Sequence, residues 1–345
     1  MTRSGSAVIL GMLSAFLISC GPSSPRPAQQ QEARPKIGLL MDTLQQEERW
    51  QRDRDLFLER AKELDADVLV EAAERDDARQ LQQAESLLER GVQALVVVPH
   101  GAEAAGKIVE AAKKRNVPVI SYDRLILKAD VDLYLSYDNR RVGEQQAQFL
   151  RNRAPKGNYI LLGGAPTDYN AKLIREGQMA ALDDAVKRGE IKIVANPWTP
   201  DWKADAAMEL TEAALKKARN QVVAVVASND VTAGGAIRAL EKSGLAGTVV
   251  VSGQDANIDA VRRIISGTQT MTVYKPLRPL ARGAASAAVQ MAKGEKVEGT
   301  STVNNGLKEV QSLLLTPIGV HKDLVDQIII SDKFHTREQV YGAAK

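Results

Sequence analysis

The sequence predicts an α/β protein built from two doubly wound parallel-sheet lobes. Short β-branched apolar runs alternate along the chain with stretches of ten or more residues that have helical periodicity. The runs are apolar throughout, which is typical of parallel strands covered by helices on both faces. They fall into two series of four, and the roughly 310 residues after position 35 are enough for two domains of ordinary size.

The predicted strands follow one another through most of the chain. The first series lies at residues 37–41, 68–70, 94–98 and 117–122, and the second at residues 159–162, 191–194, 222–227 and 249–252. Residues 268–274 alternate like an edge strand, and Asn304-Asn305-Gly306 forms a turn leading into residues 307–315. We expect these last segments to pass back between the lobes as a multi-strand hinge. The first lobe is then expected at 36–138 plus 276–303, and the second at 139–275 plus 304–345.

The N-terminal segment predicts export and lipid attachment. Arg3 and the apolar residues 7–18 indicate a signal peptide over residues 1–19, because the apolar stretch is too short to span a bilayer. A small residue precedes Cys20, the only cysteine of the chain, as in bacterial lipoprotein precursors that are cut and acylated at this point. Residues 20–35 are then a lipidated cysteine and a flexible tether. We expect a protein in the periplasm or at the outer face of the cytoplasmic membrane, held there by its lipid.

Charge and hydropathy restrict the partners. The chain has a formal charge of +3, of which Arg3, Arg26, Arg34 and Glu32 together contribute +2, so +1 remains for the residues from Lys36 onward. So small a charge argues against a nucleic-acid partner. No later apolar run reaches membrane-spanning length, so only the lipid would attach the protein to a membrane. We expect a monomer.

Polar residues follow most of the predicted strands, at the strand ends where parallel sheets bind their ligands. They are Asp42, His100, Asp123, Arg124, Asp168, Asn170, Asn229, Asp230 and Asp255. Helix capping is an alternative role, because Asp, Asn and Thr oxygens accept free backbone N–H groups, and we expect it for Asp42, Thr43 and Asp230. The pairs Asp123-Arg124 and Gln254-Asp255 fit capping less well, since a cap needs neither a cation nor a second long polar group.

The charges of the candidate site cancel. Three acids and three cations contribute to it, namely Asp123, Asp168, Asp255, Arg49, Arg124 and Lys275. A carboxylate or phosphate ligand would call for an excess of cations or a glycine-rich helix start. A balanced set suits a neutral ligand rich in hydroxyl groups, because each hydroxyl both donates and accepts a hydrogen bond.

Besides the polar residues, aromatic residues are expected in a site that binds a sugar. The chain has three tryptophans, Trp50, Trp198 and Trp202, and all three are expected in loops or at helix starts. The apolar C–H face of a pyranose packs flat against an indole ring. We expect this role for Trp50 and Trp202, which belong to different lobes, and core or rim packing for Trp198.

Signatures of catalysis are missing from the sequence. The histidines are scattered without metal-binding spacing, and there is no nucleophile elbow, Walker-type loop or dinucleotide fingerprint. Paired carboxylates alone would allow a glycosidase, but the cations here equal the acids. We therefore expect no enzyme, no cofactor and no metal.

Six segments together resemble one known family. They are Glu48-Arg49-Trp50-Gln51, Ser121-Tyr122-Asp123-Arg124, Ala171-Lys172-Leu173, Ala227-Ser228-Asn229-Asp230, Ser252-Gly253-Gln254-Asp255 and Thr270-Met271-Thr272-Val273-Tyr274-Lys275-Pro276. In this order they closely resemble the xylose-binding proteins of bacterial ABC importers, over about residues 36–335. The resemblance implies the type I periplasmic sugar-binding fold and delivery of the sugar to an ABC permease.

The resemblance also implies a role for each site residue. The hydrogen-bonding residues would be Arg49, Asp123, Arg124, Asp168, Asn170, Asn229, Asp255 and Lys275, with Trp50 and Trp202 stacking on the sugar. One departure from the family pattern is Tyr169, where a small amide is expected and a tyrosine would narrow or re-line the rim of the pocket.

Two rival functions share parts of this pattern. A sugar-responsive repressor shares the fold but needs an N-terminal helix-turn-helix, and that place is taken by the signal peptide. A sensory binding protein, which presents another pentose or hexose to a chemoreceptor or sensor kinase, is not separated from a transport protein by the sequence.

Overall fold

The computed structural model describes residues 34–45 and 48–342. The predicted signal peptide, Cys20 and almost all of the tether lie outside these residues. The first part of the chain alternates strand and helix in a βα pattern. Its elements are β1 (Lys36–Met41), α1 (Glu48–Glu63), β2 (Asp67–Ala72), α2 (Asp77–Glu89), β3 (Ala94–Val97), α3 (Gly106–Lys113), β4 (Val119–Tyr122) and β5 (Leu133–Tyr137).

The second part repeats the alternation and then returns to the first. Its elements are α4 (Asn139–Arg153), β6 (Gly157–Leu162), α5 (Tyr169–Lys187), β7 (Ile191–Ala195), α6 (Ala204–Lys217), β8 (Ala224–Ala227), α7 (Asp230–Lys242), β9 (Val250–Val251), α8 (Ile258–Ser266) and β10 (Thr272–Tyr274). The remaining elements are α9 (Leu277–Ala292), β11 (Ser301–Asn304), β12 (Glu309–Leu315), β13 (Ile318–Val320) and α10 (Arg337–Tyr341). Short 3₁₀ helices lie at Pro200–Trp202 and Lys322–Leu324, and a π-helical turn lies at Val325–Ile330.

Each lobe is built on its own sheet. The first sheet has the order β11-β12-β5-β4-β3-β1-β2 and is parallel except for β11, while the second has the order β7-β6-β8-β9 and is parallel throughout. Apolar clusters cover both faces of each sheet, as continuous apolar strands require. The predicted fold class of two doubly wound parallel-sheet lobes is therefore confirmed.

Within residues 48–342 the chain crosses between the lobes three times. The crossings join β5 to α4, β10 to α9 and β12 to β13, and they are hydrogen-bonded to one another. The amide of Asp138 donates to the carbonyl of Leu315 at 3.1 Å, and the hydroxyl of Tyr137 donates to the carbonyl of Pro276. Strands β10 and β13 pair antiparallel in a small sheet of their own beside these crossings.

The expected boundary of the second lobe needs a correction. Residues 304–345 were expected in the second lobe, with residues 307–315 passing between the lobes, but β12 pairs in parallel with β5 inside the first sheet. The predicted turn at Asn304-Asn305-Gly306 instead joins β11 and β12 into a hairpin within the first lobe. The Asn305 carboxamide holds this turn by accepting from the amides of Leu307 and Lys308. The final crossing therefore follows Leu315.

Two glycines allow α4 and α5 to pack closely in the second lobe. A Cβ atom at Gly143 would lie 1.9 Å from the carbonyl oxygen of Ile174, and one at Gly177 would lie 2.0 Å from the carbonyl oxygen of Arg140. Only residues without side chains permit such an approach of two backbones. The start of α5 is fixed in this way, and that start carries Asp168 and Asn170 to the cleft.

Candidate functional site

The carboxyl ends of the strands from both lobes meet at one cleft. The residues that line it are Arg49, Trp50, Asp123, Arg124, Asp168, Asn170, Ile174, Trp202, Asn229, Gln254, Asp255 and Lys275. All ten residues predicted from the sequence are among them. The free space that remains between these side chains is about 30 Å³, so the cleft is closely packed in this conformation.

Asp123 lies at the centre of the cleft, directly after β4. Its backbone is left-handed, with φ of 61°, a strained conformation for an aspartate that is often found at functional sites. Its carboxylate pairs with Arg49 and accepts from Asn170 Nδ2 at 3.2 Å, with Lys275 Nζ 4.0 Å away. Burial alone would raise the pKa of Asp123, but Arg49 and Lys275 outweigh burial and lower it to about 2. The carboxylate is therefore ionised and is held by both lobes.

Arg124 joins the two lobes through two carboxylates. Its Nη1 atom lies 2.7 Å from Asp42 of the first lobe, and its Nε atom lies 3.1 Å from Asp168 of the second. His100 adds a contact of 3.1 Å to the other oxygen of Asp42, and this hydrogen bond raises the pKa of His100. The two carboxylates therefore fix the guanidinium at one end of the cleft.

The expected capping by Asp42 and Thr43 is wrong. The next helix, α1, begins only at Glu48, so neither side chain is beside a free helix N-terminus. Asp42 instead holds Arg124, and the Thr43 hydroxyl donates to Glu74 at 2.6 Å. Asp42 supports the site from behind.

Arg49 is held by three carboxylates. Its Nε atom donates to Asp53 at 3.3 Å, one Nη atom pairs with Asp123, and the other lies 3.5 Å from Asp255. Asp53 is fully buried and also accepts from the hydroxyl of Tyr122. Burial raises the pKa of Asp53 to about 6, although Arg49 and Tyr122 act in the opposite direction. Asp53 therefore orients Arg49 without reaching the cleft itself.

The second lobe contributes residues at two helix starts and one loop. Asp168 caps α5 by accepting from the amide of Asn170 at 2.9 Å, and Asn229 caps α7 through a reciprocal pair of bonds with Thr232. Asp168 and Asn229 therefore each cap a helix and also line the cleft. Asp255 lies in the loop after β9, with φ of 95°, and its Oδ1 atom lies 3.4 Å from Lys275.

The expected assignment of Asp230 as a helix cap is also wrong. Asn229 occupies the N-cap position of α7, and Asp230 is the first residue of the helix. Its buried carboxylate points away from the helix start, toward the loop that carries Asp255.

Two of the three tryptophans, Trp50 and Trp202, lie at the cleft. Trp50 is buried under the guanidinium of Arg49, 4.6 Å from the ring centroid, and Trp202 lines the opposite wall. A Cβ atom at Gly164 would lie 2.0 Å from the Trp202 ring, so that glycine makes room for the indole. Trp198 stacks on Arg175 at 4.1 Å and is not among the cleft residues.

Several buried polar atoms of the cleft have no hydrogen-bond partner among the described residues. They are Trp50 Nε1, Gln254 Oε1 and Asp255 Oδ1. Buried polar groups in native proteins are nearly always bonded, so these atoms indicate a ligand with donors and acceptors of its own. Gln254 was recognisable in the sequence from the segment Ser252-Gly253-Gln254-Asp255 but was not predicted to line the site. Ile174 carries no sequence signal that separates it from core residues.

Tyr169 does not line the cleft. Its ring extends from the start of α5 in the second lobe and packs against an apolar cluster of the first lobe that includes Leu125 and Ile126. Tyr169 therefore adds a contact between the lobes and does not narrow or re-line the rim of the pocket.

No helix among residues 34–45 and 48–342 has the length and apolar character needed to cross a membrane. Over the same residues, no group of three or more histidine, cysteine, aspartate or glutamate side chains is placed to hold a metal ion.

The chain is similar to known proteins in both sequence and structure. The family described as periplasmic binding protein domain matches residues 37–296. The chain is 48% identical to a D-xylose-binding periplasmic protein of Haemophilus influenzae over 89% of this chain and 92% of that protein, and 46% identical to one of Escherichia coli over 88% and 92%. A carbohydrate transporter solute-binding protein of Chloroflexus aurantiacus, solved with D-glucose, superposes with a TM-score of 0.82 at 30% identity, covering 88% of this chain and 97% of that one. The chain therefore belongs to the periplasmic binding protein family, and its two lobes have the type I fold of the sugar-binding members.

Proposed function

We propose that this protein captures a neutral monosaccharide outside the cytoplasm and delivers it to an ABC importer, and that the preferred sugar is D-xylose. The observation that carries the proposal is a set of buried polar atoms that have no hydrogen-bond partner in the described part of the chain, in a cleft whose lining charges cancel. Two relatives at 46–48% identity that are named D-xylose-binding periplasmic proteins support the choice of sugar.

The cleft offers each sugar hydroxyl a donor and an acceptor. Asp123 and Asp255 would accept from vicinal hydroxyls, while Arg49 and Lys275 would donate to the same oxygens. The other polar partners are Arg124, Asp168, Asn170 and Asn229. Trp50 and Trp202 would cover the apolar faces of the ring. The sugar would thus take over hydrogen bonds that the protein leaves unmade.

Binding would also close the lobes around the sugar. Arg49, Asp123 and Arg124 belong to the first lobe, and Asp168, Asn229 and Asp255 to the second, so neither lobe surrounds a ligand alone. A sugar that touches both sets favours the closed form by differential binding. The closed form would then be the one that the membrane permease recognises.

Titration calorimetry tests the ligand. We expect D-xylose to bind with a micromolar Kd, which corresponds to about 8 kcal/mol, and to bind more tightly than ribose, glucose or galactose. Thermal shift gives a second reading, since ligand at ~100 times its Kd stabilises by about 2.7 kcal/mol. Clear binding of another sugar without heat from D-xylose would reject the ligand but keep the binding function, while no heat from any of these sugars would reject both.

We also propose that Cys20 is acylated and anchors the protein to a membrane. Its support is the sequence alone, where a small residue precedes the single cysteine after an apolar stretch. Cys20→Ala should move the protein from the membrane fraction to the soluble fraction of the cells that make it. Unchanged fractionation of this variant would contradict the anchor.

A further inference from the structure

Asp230 is a buried acid that does not touch the cleft. It is 1% exposed, it lies at the first position of α7, and it is not among the cleft residues. Burial raises the pKa of Asp230 to about 7, and the neighbouring Asp255 carboxylate acts in the same direction. A buried carboxylate beside another acid is costly, so its presence calls for a role that a neutral residue would not perform.

The carboxylate of Asp230 receives hydrogen bonds from three segments. Its Oδ2 atom accepts from the amide of Asn257 at 3.0 Å and from the hydroxyl of Thr272 at 3.0 Å. Its Oδ1 atom accepts from Gln269 Nε2 at 2.8 Å. The backbone amide of Asp230 donates to the carbonyl of Gln254 at 3.0 Å. Helix α7, strand β10 and the loop between β9 and α8 are thereby held together at one side chain.

That loop carries Asp255 in a backbone conformation that needs support. Asp255 and Ala256 both have positive φ, 95° and 51°, which costs free energy for residues with side chains. The amide of Ala256 donates to the Thr272 hydroxyl at 3.2 Å, and that hydroxyl donates in turn to Asp230. A Cβ atom at Gly253 would lie 2.0 Å from Asp230 Oδ1, so the loop passes directly against the carboxylate.

The orientation of Gln269 is fixed as well. Arg263 Nε donates to Gln269 Oε1 at 3.1 Å, which turns the Nε2 donor toward Asp230, and Arg263 Nη2 donates to the carbonyl of Asp230 at 3.0 Å. The charged groups that surround the carboxylate of Asp230 are thus Arg263 and Asp255. Three neighbouring groups donate to this carboxylate, so both oxygens of Asp230 act as hydrogen-bond acceptors.

We infer that Asp230 is a positioning residue for sugar binding, which holds the loop of Gln254 and Asp255 in the conformation that meets the ligand. The inference rests on the proposed sugar-binding function. Asn229, the preceding residue, lines the cleft itself, so α7 presents one residue to the ligand and the next to the loop behind the ligand. The three donors to Asp230 are the means by which the strained loop keeps a single shape.

Asp230→Asn tests the inference. The oxygen of the new carboxamide can still accept from Asn257 and Thr272. Its NH₂ group would then face the Nε2 donor of Gln269, and because two donors cannot hydrogen-bond to each other, the loop must shift. We expect affinity for D-xylose to fall roughly 10- to 100-fold, as when a supporting contact displaces a binding group by about 1 Å. Wild-type affinity in a folded Asp230→Asn protein would overturn the inference.

A paired substitution provides the matched control. Gln269→Glu combined with Asp230→Asn moves the acid to the other partner, so that the new amide donates to the new carboxylate while Arg263 still donates to it. We expect this double variant to bind D-xylose more tightly than either single variant, and somewhat less tightly than the wild type because it loses the bond that Gln269 Nε2 donates to the carbonyl of Met271 at 3.2 Å. Gln269→Glu alone sets two carboxylates against each other and should bind weakly. A double variant that regains the melting temperature but not the affinity would overturn the positioning role.

A milder variant tests the inference if the Asp230→Asn protein does not fold. Thr272→Val removes only the hydroxyl that links Asp230 to the Ala256 amide, and we expect a smaller loss of affinity with the secondary structure retained. Unchanged affinity in this variant would count against the inference. If the wild type binds none of the sugars tested, the proposed function fails instead, and that result is separate from any difference among these variants.

Discussion

Asp255 is the residue at which loop strain, charge pairing and an unbonded oxygen coincide. Its Oδ1 atom lies near Arg49 and Lys275 but accepts no hydrogen bond from any described residue. We expect Asp255→Ala to weaken D-xylose binding by about 2–3 kcal/mol, or roughly 30- to 150-fold, because sugar donors in a closed site lose their acceptor. Calorimetry measures the change. Asp205→Ala is the control, since Asp205 is 85% exposed, and equal effects of the two variants would contradict the assignment.

The raised pKa of Asp53 predicts that the stability of the protein depends on pH. Burial raises its pKa to about 6, above the unfolded value of about 3.9. The folded protein therefore holds this proton more tightly than the unfolded chain does, so the stabilising contribution is present below about pH 4 and is lost as the pH rises through about 6. Asp53→Asn cannot ionise and should lack this loss. Urea unfolding across this range should show the free energy of unfolding of the wild type falling relative to that of the variant, and parallel pH curves would contradict the prediction.

Strand-end positions made most of the site predictable at the level of residues. Asp123, Asp168 and Asp255 each directly follow or lie within a few residues of an apolar run, so the sheet brings them together whatever the details of the loops. The failures are the capping roles that were expected for Asp42, Thr43 and Asp230. The sequence does not show that α1 begins six residues after Asp42, nor that Asn229 takes the capping position beside Asp230.

At the level of elements, the start of α5 links the lobes through Tyr169. The ring packs against the apolar cluster of the first lobe, so closure buries it. We expect Tyr169→Ala to weaken D-xylose binding by about 1–2 kcal/mol, or roughly 5- to 30-fold, because the closed form loses this buried area. Tyr169→Phe keeps the ring and should bind like the wild type. An alanine variant with unchanged affinity in calorimetry would show that the contact does not contribute to closure.

The strand β5 and the pairing of β12 in the first sheet were not predicted, and both omissions have the same cause. β5 follows β4 after ten residues without an intervening helix, so the βα alternation gives no sign of it. β12 lies far along the chain from β5, and its pairing depends on which lobe the last segments return to. Alternation of apolar runs and helices predicts strands that are followed by a crossover helix, and it has no information on strands that are added by other connections.

At the scale of the whole molecule, ion pairs such as Arg124 with Asp168 and Arg49 with Asp255 cross between lobes. Lys275 lies beside the crossing that ends at Pro276 and contacts acids of both lobes. We expect saturating D-xylose to reduce the radius of gyration in solution scattering, and Lys275→Ala to weaken the response at subsaturating sugar. Identical scattering curves with and without sugar, in a sample that binds it by calorimetry, would rule out ligand-driven closure.

The positions of the three tryptophans should make the intrinsic fluorescence of the protein report whether the cleft holds a sugar. Trp50 and Trp202 border the cleft, whereas Trp198 is covered by Arg175 away from it. Indole emission follows the polarity of its surroundings, so a sugar entering the cleft changes the light from two of the fluorophores while the third supplies a steady background. Binding can therefore be followed without any attached dye, and replacing Trp198 by phenylalanine should sharpen the signal without altering the site.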